Sequence, residues 1–126
     1  MLIDTCILID HFRGDASTTR FLIENSGEMK ICSVTDMEIS QGIRNKAELR
    51  MYEKLLQELK IQIVDLNEEI SVKARLWLRS YGLSHGLYLA DALIAATASV
   101  QGYQLISLNM KDFRFLGIQF ASIKGR

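Results

Sequence analysis

An α/β domain with a mainly parallel central sheet is the fold class this sequence predicts, and three observations predict it. Short apolar runs of strand length alternate along the chain with stretches of helical periodicity. A length of 126 residues at 48% hydrophobic content suits one compact domain, expected to span 1–126. The chain holds no proline and shows no internal repeat or low-complexity segment, which argues against a disordered or linker-built protein.

The elements follow in order. Residues 1–4 read as a short buried strand ending in a carboxylate, and 5–13 as a helix with Ile7, Leu8 and Phe12 at helical spacing, closed by Gly14. A second helix over 17–25 has Ser17 as its N-cap candidate and stops at Gly27. Residues 30–33 form the next strand. Thr35 and Glu38 then have the T-x-x-E spacing of a capping box, which opens a helix running to about Arg44. Over 46–60, Leu49, Tyr52, Leu55, Leu56 and Leu59 lie on one stripe of an amphipathic helix. A third strand is expected at 61–64 and another amphipathic helix at 67–81, with a loop bracketed by Gly82 and Gly86. The apolar segment 90–101 is a helix capped by Gly102; 103–107 is a fourth strand, 109–115 a loop and 118–120 a fifth strand.

Charge and cysteine content bound the function. Fifteen basic and fifteen acidic side chains cancel, so a polyanion can be gripped only by a local basic patch. Cys6 and Cys32 lie in apolar surroundings without paired spacing, which suits free thiols in a reducing compartment. Cys6, Cys32, His11 and His85 show no spacing that suits a zinc site. The start, MLIDTCILIDHF, has no basic leader and does not read as a secretory signal. The run 87–100 is shorter than the roughly 18–20 residues a membrane span needs and is interrupted by Asp91. A cytoplasmic protein without a membrane segment is expected.

Asp91 is the residue that asks for an explanation, being the only formally charged side chain between His85 and Lys111, within LADALIAATA. A carboxylate among Leu, Ala and Ile must be exposed, paired, or compensated by a helix N-terminus or a cation. In parallel sheets ligands collect beyond the carboxyl ends of the strands. Asp4 ends the first strand, Glu38 lies about one helical turn beyond the second, and Asn109 and Asp112 follow the fourth. Carboxylates that converge there repel one another unless a hard divalent cation neutralises them. Each also has a plainer role: Asp4 as an N-cap, Glu38 as the capping-box partner of Thr35, Asp91 as an acid on a helix dipole, Asp112 as a turn residue. His11 and His85 have no partner at ligand spacing and read as surface or helix-flank residues.

Taken together and in order, LIDTCILID, SVTDMEISQGIRN, LADALIAATA and LISLNMKDF resemble the PIN domain, specifically the VapC-type toxin nucleases. The resemblance covers nearly the whole chain. It implies a three-layer sandwich around a parallel sheet of about five strands, with Asp4, Glu38 and Asp91 as catalytic acids that bind Mg²⁺ or Mn²⁺. Asn109 occupies a fourth-block position that is Asp or Asn in the family, Asp112 is available in support, and Thr5 and Ser107 match hydroxyl positions near the site. Cys6 departs from the Ser or Asn more usual there.

The implied activity is metal-dependent endonucleolytic hydrolysis of RNA leaving 5′-phosphate and 3′-hydroxyl ends, by the toxin of a toxin-antitoxin pair. The implied partners are RNA, a cognate antitoxin whose tail occupies the groove, and a second copy in a homodimer. Arg13, Arg44, Lys46, Lys111 and Arg114 are the basic residues nearest in sequence to the acid blocks, and so the candidates for holding RNA phosphates; each is equally readable as a solvated surface charge. The competing reading is a PIN-like module without turnover that serves as a binding or regulatory partner, which the uncharged Asn109 leaves open. A receiver-like module and a D-x-D phosphatase both fail at Asp4-Thr5-Cys6, which lacks a second adjacent acid.

Overall fold

Five short strands, β1 (Leu2–Ile3), β2 (Lys30–Cys32), β3 (Gln62–Val64), β4 (Leu105–Ile106) and β5 (Phe120–Ala121), join in the order β3-β2-β1-β4-β5, and every pairing is parallel. The structure is a computed structural model and describes residues 1–123; the domain expected over 1–126 extends past it, and 124–126 lie outside the described residues. Six α-helices connect the strands: α1 (Thr5–Phe12), α2 (Ala16–Glu24), α3 (Ser33–Gly42), α4 (Lys46–Glu58), α5 (Glu68–His85) and α6 (Leu89–Gln101). Two short 3₁₀ turns, Met110–Asp112 and Arg114–Leu116, link β4 to β5.

The pleat of the strands divides the core in two. Leu2, Cys32 and Leu105 face one apolar cluster with Ile70 and Ala74 of α5 and Ala92, Ile94, Ala95, Ala96 and Ala98 of α6. Their neighbours Ile3, Ile31 and Ile106 face a second cluster with Ile7 and Leu8 of α1, Leu22 of α2 and Tyr52 of α4. Helices on both faces give the three layers, and burial of the central strands β1, β2 and β4 from both sides explains why those strands read as apolar runs. Ala92, Ala95, Ala96 and Ala98 of α6 bury almost completely, so that helix lies close against its neighbours.

Several boundaries differ from the sequence reading. The capping box does not form: α3 begins at Ser33 directly after β2, and its N-cap Cys32 makes no side-chain cap bond. Thr35 is thereby drawn into the first helical turn and fully buried. Ser17 is not the cap of α2; Asp15 takes that place, accepting from the Thr18 N–H at 2.9 Å, and Ser17 donates to Asp15. The loop expected from Gly82 is helical, because α5 continues to His85, whose ring stacks on Phe115 at 4.3 Å between centroids. Gly86 ends it with φ of 64°, in the left-handed region where a Cβ is strained.

Candidate active site

The topology carries four acids to one edge. A helix that returns a parallel strand crossover runs antiparallel to the strands, so its N-terminus sits at their carboxyl ends. Asp4 is the residue between β1 and α1, Glu38 lies on α3 directly after β2, Asp91 is in the first turn of α6, which leads into β4, and Asp112 follows β4. The N-terminus of α6 places partial positive charge near Asp91, which favours the anion there without neutralising it.

Asp4 is 4% exposed and tightly held. Its Oδ1 accepts the Thr5 N–H at 2.8 Å, its Oδ2 accepts the Ser107 hydroxyl at 2.7 Å, and the Cys6 thiol approaches the same oxygen at 3.4 Å. Ser107 in turn accepts the Asn109 N–H at 2.9 Å, so the loop after β4 is tied to the end of β1. Thr5 also serves the second acid: its hydroxyl donates to Glu38 Oε1 at 2.7 Å and lies 2.8 Å from the Thr35 hydroxyl. Asp4 is therefore an N-cap, as its plainer reading held, and also the centre of a hydrogen-bonded cluster.

Burial and like charge raise two of the acids, Asp4 and Asp91. Burial pushes the Asp4 carboxyl above its ordinary value; bonds from Ser107, Cys6 and Thr5 oppose this, and the charge of Glu38 adds to it. The half-buried Asp91 carboxyl is pushed up to about 6, first by burial and then by the charges of Asp4, Asp112 and Glu38. Among the described residues, no cationic side chain figures in the influences on either group. Burial, and then the charge of Asp4, push the Cys6 thiol up to about 11, which leaves it a neutral donor rather than a nucleophile.

The sequence-predicted residues separate into those brought together and those held apart. Asp4, Thr5, Glu38 and Ser107 form one hydrogen-bonded set, and Asp91 and Asp112 join it through their charges. Asn109 contributes its backbone N–H, while the negative charge after β4 comes from Asp112. Arg13 and Arg44 line a groove that runs from Glu38 between α1, α3 and α4, together with Ile9, Phe12, Ile43 and Met51. Arg44 is engaged by Glu48 at 2.7 Å, and Lys46, Lys111 and Arg114 are exposed. Thr35 is the site residue whose role the sequence misassigned. Its spacing from Glu38 was the available signal, since residues three apart share a helix face whether or not a capping box forms.

Among the described residues no group of three or more His, Cys, Asp or Glu side chains is arranged to hold a metal ion as it stands. The donor chemistry nonetheless fits a hard divalent cation. The groups are oxygen donors only, they repel one another, and among the described residues no Lys or Arg compensates Asp4 or Asp91. Free Cys6 and Cys32 form no soft-metal set with them.

Residues 1–117 match the PIN domain. Over 116 residues the chain is 36% identical to Ribonuclease VapC10 of Mycobacterium tuberculosis, covering 90% of this chain and 85% of that one. It is 33% identical over 116 residues to Ribonuclease VapC19 of the same organism, covering 89% and 90% of the two chains. Among solved structures, a toxin-antitoxin complex from Klebsiella pneumoniae superposes with a TM-score of 0.76 at 28% identity over 92% of each chain.

Proposed function

The chain belongs to the PIN-domain family, among the VapC-type ribonucleases, and from that premise we propose that Asp4, Glu38 and Asp91 form the divalent-cation site of an endoribonuclease, the toxin of a toxin-antitoxin pair. The observation that carries the site assignment is the uncompensated repulsion at the carboxyl edge of the sheet. Three acids raise the Asp91 carboxyl on top of its burial, and no cationic side chain among the described residues opposes them.

Asp4 and Asp91 would hold Mg²⁺ or Mn²⁺ most directly, with Glu38 beside them and Asp112 in support. When bound, such a cation supplies an acidified water and charge compensation at the phosphoryl oxygens during in-line attack on the RNA phosphodiester. The chain's own groups do the positioning. Ser107, Cys6 and the Thr5 N–H fix both oxygens of Asp4, and the Thr5 hydroxyl holds one oxygen of Glu38 and leaves the other free to turn to the rim. Rigid support of this kind is what outer groups contribute to a metal site. Asn109 brings no charge, but Asp112 does, so the loop after β4 keeps an acid at the site and the reading without turnover has no specific observation in its favour.

RNA phosphates are proposed to meet Arg13, Arg44, Lys46, Lys111 and Arg114, which supply local positive charge on a chain of zero net charge. The antitoxin's tail is proposed to occupy the groove that starts at Glu38, where apolar Ile9, Phe12 and Met51 and basic Arg13 offer both packing and charge. A homodimer is part of the same proposal, with exposed Val72 and Leu76 on α5 available for contact. RNA as substrate and two free thiols fit a cytoplasmic setting. No described helix is long and apolar enough to cross a membrane.

The test is cleavage of a pool of cellular RNAs with Mg²⁺ or Mn²⁺ added, with Asp4→Asn as control. The proposal expects cleavage that chelation stops and that the variant lacks. Cleavage retained by Asp4→Asn would overturn it.

A further inference from the structure

We propose that Thr35 is a positioning residue for this site, its hydroxyl acting through Thr5 to orient the Glu38 carboxylate; the proposal rests on the reading of Glu38 as a site acid. Hydrogen-bond arithmetic fixes the direction of the chain of hydroxyls. Thr5 Oγ1 lies 2.7 Å from Glu38 Oε1 and 2.8 Å from Thr35 Oγ1. A threonine hydroxyl has one proton, and an ionised carboxylate only accepts. The Thr5 proton therefore goes to Glu38, and the bond between the two threonines is donated by Thr35. The order is Thr35 to Thr5 to Glu38.

Burial gives this order its force. Thr35 is fully buried and Thr5 is 6% exposed, whereas Glu38 is exposed. Among the described residues, Thr5 is the only hydrogen-bond partner of the Glu38 side chain and of the Thr35 hydroxyl. A hydroxyl in a core costs free energy unless it is bonded, and valine would fill the same volume without that cost. What the hydroxyl adds is a donor on one side of Thr5 Oγ1, which leaves the Thr5 proton the side facing Glu38. Without it the Thr5 rotor is free to turn, and the exposed Glu38 samples other rotamers. One oxygen of Glu38 is thereby held inward and the other presented at the edge where Asp4 and Asp91 lie.

The experiment compares the full-length wild type with Thr35→Val, Thr35→Ser and, should valine not fold, Thr35→Ala. In metal-free protein, side-chain scalar couplings measured by NMR report whether Glu38 keeps one rotamer. Wild type and Thr35→Ser are expected to show one, and the valine or alanine variant an average. Mn²⁺ titrated alone and followed by electron paramagnetic resonance is expected to need roughly tenfold more metal in Thr35→Val, the low end for outer groups. kcat should fall with it while the KM for RNA stays unchanged, and serine should restore both. Glu38 couplings and Mn²⁺ requirement unchanged in Thr35→Val overturn the proposal, even where melting temperature falls. A wild type that binds no Mn²⁺ instead ends the metal-site reading, and the couplings still decide Thr35.

Discussion

The Ser107 hydroxyl donates to Asp4 Oδ2 at 2.7 Å, joining the end of β4 to the end of β1 across 103 residues of sequence. Asp4 is buried, and this bond lowers the cost of charging it. Ser107→Ala is expected to destabilise the metal-free protein by about 1.5–3 kcal/mol, the range for a bond to a charged group, and to weaken metal-dependent cleavage. Urea denaturation reads the first effect, and an unchanged midpoint would show that Asp4 does not depend on Ser107.

Asp91→Asn removes the charge that Asp4, Asp112 and Glu38 oppose. Cleavage should be lost, while the metal-free variant should melt at the same temperature as wild type or higher because like-charge repulsion is relieved. A lower melting temperature without metal would mean that Asp91 has a stabilising partner.

The raised acids set a pH dependence of definite sign. With its carboxyl near 6 in the folded state and near the ordinary value unfolded, Asp91 binds more protons folded than unfolded in that window. Its contribution is fully present below the ordinary carboxylate value and is lost as pH rises toward and through about 6; Asp4 is shifted the same way. The melting temperature of metal-free wild type should therefore fall relative to Asp91→Asn as pH rises across this window. Metal competes with the same protons, so Mn²⁺ affinity should rise with pH up to about 6 and then level. An affinity that is flat across the window would place the metal elsewhere.

Tyr52 separates structural bonds from functional ones. Its hydroxyl donates to Asp36 Oδ1 at 2.6 Å and ties α4 to α3 on the side of the sheet away from α6. Tyr52→Phe should cost about 1.5–3 kcal/mol of stability, the same range for a bond to a charged group, with cleavage per folded molecule unchanged. A matching loss of kcat would extend the site to α4.

Much of the fold was legible because the central strands β1, β2 and β4 are buried on both faces. Leu2-Ile3, Ile31-Cys32 and Leu105-Ile106 each contribute to both clusters, so strands appear as apolar pairs between helical stretches. Asp4 and Asp91 were legible as charges in apolar contexts. What the sequence did not carry was boundary geometry. The early start of α3 at Ser33 turned the Thr35–Glu38 spacing from a cap into part of a hydroxyl relay, a change that depends on where β2 ends. The continuation of α5 past Gly82 likewise accompanies ring packing with Phe115, about thirty residues downstream, which no local propensity records. Asp112 gained its place in the same way, since only the fold shows its charge bearing on Asp91.

The proposed site has one hard cation shared by Asp4, Glu38 and Asp91. Anomalous diffraction from crystals soaked in Mn²⁺ would locate that cation. A single strong peak at the carboxyl edge of the sheet, touching oxygens of Asp4 and Asp91 at about 2.0–2.2 Å, is the predicted result; crystals saturated with Mn²⁺ that show no peak there would contradict it.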